Sequence, residues 1–193
     1  MKSFRIALIG ILFGLPAQAQ SPEWSVDSNT GIAHHNPSGG FCPTRFGGLP
    51  RTGQSAAPIK GAAAVCSYGP PEHPNAQLIS IQEMPAVPRS QLDYSFRADL
   101  LDRFPGSVFA PEVESVCQNA LTEKMGTPDA KCMVFERDGF TAFLGFHVID
   151  NWSIQPMVVT SGKGLSEENI RLIGSTFAEI YSVEAQFMQL RRQ

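Results

Sequence analysis

The chain has no Gly-x-Gly-x-x-Gly, no phosphate loop with its Lys, no Cys-x-x-Cys and no His-x-x-x-His. Dinucleotide and nucleotide binding need glycines that let the backbone approach phosphate, and zinc needs ligands at close, regular spacing. Both classes of chemistry are therefore without a motif here. Basic excess is also missing, since 15 Lys and Arg face 18 Asp and Glu for a net charge of −3. Nothing in that balance attracts nucleic acid or an anionic membrane surface. No like-charge block or internal repeat occurs. Long apolar runs are scarce too: the stretch from Ile6 to Leu15 falls well short of the roughly 20 residues a spanning helix requires.

That short run has a meaning of its own. Lys2 and Arg5 precede it and Ala17-Gln18-Ala19 follows it, which is the three-part layout of a secretory signal peptide over residues 1–19. The mature chain is then expected to begin at Gln20, to comprise residues 20–193 as a single α+β domain, and to be periplasmic or secreted. No cysteine follows the cleavage site to take a lipid. In an oxidising compartment the four cysteines, Cys42, Cys66, Cys117 and Cys132, read as two disulfides. Three pairings are open, and the sequential one is preferred because each pair flanks one local unit.

The best-defined stretch is Cys132 to Leu190. Asp138-Gly139 is a two-residue type I′ turn signal between Met133–Arg137 and Phe140–Val148. It sets Arg137 opposite Phe140, Phe135 opposite Ala142 and Met133 opposite Leu144. One face then collects Met133, Phe135, Phe140, Ala142, Leu144, Phe146 and Val148 and must be buried. The other, with Val134, Phe143 and Ile149 beside Glu136, Thr141 and His147, is expected to be partly wet. Asp150-Asn151 offers a second turn into Trp152–Thr160, where Pro156 lacks a ladder donor and argues for an edge or a bulge. Beyond Gly164 the period becomes 3.6, with Ile170, Ile173, Phe177, Ile180, Tyr181 and Phe187 on one face and Ser166 as N-cap.

Upstream, Trp24–Asn29 and Ile32–Asn36 read as short strands, residues 37–58 as a long Gly- and Pro-rich loop, and Ala62–Tyr68 and Leu78–Met84 as strands, the second central. Ser90 opens a helix lined by Leu92, Phe96, Leu100, Leu101 and Phe104, which Pro105-Gly106 ends. Pro111 starts another, with Val113, Val116, Cys117, Ala120 and Leu121 on its inner face. The sum is an α+β sandwich, an antiparallel β-sheet packed against about three α-helices. This order, an N-terminal strand and Pro-Gly turn, a mid-chain helix, a strand meander and a closing helix, resembles the PsbP-like family of small exported or lumenal proteins. The layout also resembles secreted bacterial proteins of unassigned function. The PsbP resemblance implies a non-enzymatic accessory or binding role.

Candidate chemistry concentrates in the loop from Gly31 to Arg51, where His34, His35 and Arg45 are the candidate binding residues for a small ligand or an envelope protein. His34 and His35 are neighbours in a strand, so they point to opposite faces and cannot readily share a metal. No cofactor is expected. Gly53-Gln54-Ser55-Ala56-Ala57 approaches a nucleophile elbow, but Pro50 and Pro58 forbid the strand and helix that motif needs. Asp27 to Gly31 resembles the start of a calcium loop yet has Ser38 where a bidentate Glu is required, and is read as a turn. The competing function is a small exported hydrolase or metal-dependent enzyme using the loop histidines. The intact mass of the exported protein should correspond to a chain starting at Gln20, and alkylation without reductant should add no mass. A retained leader or a modified thiol would overturn this reading.

Overall fold

Asp138 and Gly139 both take positive φ, 49° and 81°, and close the hairpin as a tight turn of the mirror-image type. The computed structural model describes residues 23–55, 62–71, 77–83, 89–127, 129–149, 151–161 and 165–190. In chain order these form β1 (Trp24–Val26), β2 (Ala33–His35), β3 (Phe41–Cys42), β4 (Arg45–Phe46), β5 (Leu49–Ser55), β6 (Ala64–Tyr68) and β7 (Gln77–Glu83). There follow α1 (Arg89–Arg103), β8 (Val108–Phe109), α2 (Pro111–Met125), β9 (Lys131–Arg137), β10 (Phe140–Ile149), β11 (Trp152–Ser161) and α3 (Glu167–Leu190). The expected leader, residue 150 of the second turn and much of the Pro-rich turn after Gly69 lie outside the described residues.

Eight strands form one antiparallel sheet in the order β4-β5-β6-β7-β11-β10-β9-β8, and β1-β2-β3 form a second, small one. With three helices among the described residues, the α+β architecture of helices against antiparallel sheet is observed. The β9–β10 register is the one the turn demands: Arg137 faces Phe140, Phe135 faces Ala142 and Met133 faces Leu144. Residues 37–58, expected to be a loop, instead contain β3, β4 and β5. Their pairs are short and glycine-punctuated, too brief to give a readable alternation.

Helices cover both faces, unequally. On one face α2 and α3 pack Cys117, Leu121, Ile170, Phe177 and Tyr181 against Val134, Phe143, Ile154 and Val158. The small sheet extends this cover through Trp24, Ala33 and Cys42, beside Cys66 and Ile81. The face expected to be half wet is thus the larger core, and even Thr141 is buried there. On the opposite face α1 alone sets Phe96 and Leu100 on Met133, Phe135, Ala142, Leu144 and Phe146. Leu101, expected to face inward with them, is exposed.

β11 is central, between β7 and β10, which corrects the expectation of an edge or bulge at Pro156. Pro156 pairs with Ile79 of β7. Toward β10 the pairing runs from Phe140 to Leu144 and from His147 to Ile149, leaving out Gly145 and Phe146. The missing donor therefore falls opposite Gly145, where an added Cβ would meet the Pro156 ring at 2.9 Å as well as Phe177 and the Tyr181 hydroxyl. A glycine facing the proline lets the interior strand tolerate it.

Two disulfides join Cys42 to Cys66 and Cys117 to Cys132, with Cα atoms 5.9 and 6.0 Å apart. The first ties the small sheet to β6. The second ties α2 to β9, and closing that loop of 15 residues is worth about 3 kcal/mol through the unfolded chain. Gly126, at φ 69°, ends α2 with its N–H on Thr122 and turns the chain toward Cys132. At the start of α3 the Ser166 hydroxyl accepts the Asn169 N–H at 3.3 Å. Leu144→Ala is expected to cost about 2–5 kcal/mol in denaturant melts. Tyr94→Ala, at a residue 79% exposed, should stay within about 0.5 kcal/mol of wild type. Equal effects would show that the α1 face is not core.

Candidate functional site

The loop histidines part company in the structure. β2 places His35 inward and His34 half-buried on the other side. The His35 ring lies 5.1 Å from Trp24 and 6.3 Å from Trp152, and its Nδ1 shares a 2.8 Å hydrogen bond with the buried Ser38 hydroxyl. That hydroxyl also accepts the Gly40 N–H at 3.1 Å. Desolvation lowers the His35 pKa, opposed more weakly by the Glu23 charge. Ser38 and His35 are a hydrogen-bonded pair of the kind a hydrolase uses, but both are buried, and here they fasten the turn that carries Gly39 and Gly40. Arg45 is exposed and donates to the Gly48 carbonyl within its own hairpin. The three side chains thus have separate settings, His35 inward, His34 on the other side of β2 and Arg45 on the β4–β5 hairpin.

Arg51 is the loop's clamp. Its two terminal nitrogens donate to the Cys42 and Gly31 carbonyls, each at 2.7 Å, and partial burial pushes its pKa down. The Asp27 carboxylate accepts the N–H groups of Asn29 and Thr30 at 2.8 Å, and these bonds, led by Thr30, lower its pKa. This is an Asx-turn, so the acidic group is spent on its own backbone. Among the described residues no three His, Cys, Asp or Glu side chains come together in a way that could hold a metal.

An apolar cleft lies elsewhere, at the open end of the α1 face. α1 ends at Arg103, and among the described residues no further helix packs on this face of the sheet. Phe104 stacks on Phe135 with centroids 5.3 Å apart. Together with Ala142, Met157, Val159 and Phe140 they line a cleft of about 240 Å³. Phe140 is 52% exposed and Val159 40% exposed, so the cleft opens to solvent. Arg137 and Asp138 form its rim, joined by an Nε to Oδ2 contact of 3.0 Å. The sequence placed Phe140 among buried residues because register alone was counted. The readable signal was that a helix ended by Pro105-Gly106 is too short to cover every apolar position of that face.

One ion pair fixes α1 beside this cleft. Arg97 makes a two-pronged contact with Glu114 of α2, and its guanidinium sits 4.8 Å from the Phe109 ring centre. The bond to Glu114 is the main cause that raises the Arg97 pKa. Glu114 also accepts the Val134 N–H at 3.3 Å, and Gln118 accepts that of Cys132 at 2.8 Å. Side chains of α2 thereby satisfy edge donors of β9 that β8 is too short to reach.

No protein-family model and no curated protein matches the sequence. The solution structure of cyanobacterial PsbP (CyanoP) from Synechocystis sp. PCC 6803 is similar over 88% of this chain and 96% of its own, at 11% identity and a TM-score of 0.37. That is a distant resemblance.

Because the folded state lowers the His35 pKa, folding favours the neutral ring. Its contribution is complete above the ordinary histidine value of about 6.5 and is lost as the pH falls through the lower folded-state value. Wild type should therefore lose unfolding free energy, relative to His35→Gln, as the pH is lowered from 7 toward 5. A difference between the two proteins that does not change with pH would refute this.

Proposed function

We propose that the protein is an exported accessory or binding protein, and that the cleft beside the β9–β10 turn is where it binds. The observation that carries this is the solvent-open cluster of aromatic side chains around a concave space. Large apolar groups left exposed together, rather than singly, are what binding sites are made of. Two disulfides support export, because such bonds persist in oxidising compartments. A leader over residues 1–19 and one folded unit over residues 20–193 belong to the same reading. His34 and Arg45 belong to this reading as separate candidate contacts for a partner, whereas His35 holds the loop in place.

No observation favours an enzyme built on the loop histidines. The His35 ring packs against Trp24, and both His35 and Ser38 are buried. The test is the addition of naphthalene, a neutral apolar probe of about the cleft's size, followed through the methyl resonances of Ala142 and Met157. Both should shift saturably, and Val159→Trp, which fills the mouth of the cleft, should abolish the shifts in a protein that still folds. Unchanged methyl resonances would overturn the cleft as the binding site.

A further inference from the structure

We infer that the cleft takes a small amphipathic carboxylate, with an acyl or aryl body in the aromatic cavity and its carboxylate on Arg137. The inference rests on the reading of the cleft as a binding site and adds the class of ligand. Size is the first constraint. A cavity of about 150 Å³ holds one benzene, so 240 Å³ accommodates a ligand of about ten non-hydrogen atoms. That excludes a two-chain lipid and fits a medium-chain fatty acid or a single substituted aromatic ring.

Polarity is the second constraint. The interior, Phe104, Phe135, Ala142 and Met157, offers no side-chain hydrogen-bonding group, so any polar group of the ligand must stay at the rim. There the cation is Arg137. Asp138 engages its Nε edge, and among the described residues neither terminal nitrogen has an acceptor. A guanidinium presents those donors as a fork matched to a carboxylate. Asp138 also sits at a turn with positive φ, so the group that orients the arginine is itself fixed by the hairpin. The aspartate offsets part of the charge but leaves the donor fork. An acceptor with a negative charge is therefore favoured over a neutral one, and the rim's carboxylate, Asp138, is already engaged by Arg137.

The experiment compares octanoate with octan-1-ol, which share the alkyl body, on wild type, Arg137→Gln and Val159→Trp. Octanoate should shift the Ala142 and Met157 methyl resonances and bind about tenfold more weakly to Arg137→Gln, the effect of removing one charge-assisted contact at a half-exposed site. Octan-1-ol should bind both proteins equally, and Val159→Trp should block both ligands. If octanoate binds Arg137→Gln as well as wild type, or fails to bind while naphthalene still shifts the methyl resonances, the carboxylate assignment is wrong and the cleft stands. Should neither octanoate nor naphthalene reach the cleft, both readings fall.

Discussion

The register of the β9–β10 hairpin is the constraint from which the rest of the molecule follows. A slip of one residue would exchange the two faces of β10, sending Leu144 and Phe146 toward α3 and Phe143 and Gly145 toward α1. Gly145 allows only one choice. Tyr181, Phe177 and the Pro156 ring occupy the space where its side chain would be, so the α3 face of β10 accepts a glycine at that position and nothing larger. Tyr181 is fully buried there, and desolvation raises its phenol pKa well above the usual range, which keeps the hydroxyl neutral. A two-residue turn at one end of the hairpin and a glycine in the middle thus hold the same alignment independently.

A second close contact sets the helices on that face. Gly174 of α3 lies against the backbone of Cys117 in α2, with no space for a Cβ. The residue at the crossing is also the one whose sulfur joins α2 to Cys132 of β9. The helix pair and the sheet are therefore tied at one point, and the Glu114 and Gln118 side chains continue the tie along the β9 edge. Among the described residues the opposite face has no such close glycine contact or disulfide. α1 is anchored to α2 through Arg97 and Glu114, and it covers only the part of the sheet that its length reaches.

How much of this was legible in the sequence depended on whether a local signal carried the information. The turn, the register, the glycine cap of α2 and the inward cysteine of α2 are decided within a few residues, and each was readable. Which face would receive two helices was not, because Thr141, Glu136 and His147 made one side look polar while α2 and α3 still cover it. Pro156 misled for a related reason. A proline is excluded from an interior strand by its missing donor, and that its facing residue is Gly145 emerges only when the register is counted back from the Asp150-Asn151 turn. The strands β3 to β5 were hidden because each pairs over only a few residues.

The candidate site was the least readable part, and the cause is physical. Loop histidines stand out in a sequence because histidine is rare and chemically versatile, yet β2 divides the two of them between its faces and gives one to the interior. The cleft, by contrast, is made of Phe, Ala, Met and Val, residues that a sequence reading assigns to the core. Only the mismatch between a long apolar sheet face and a helix that stops at Pro105 separates them from it. Phe140 is at once correctly registered and exposed, because register decides which face a side chain joins and helix length decides whether that face is covered there. A binding site formed in this way needs no special residue, since it arises where the cover of the sheet ends and the nearest hairpin supplies a cation.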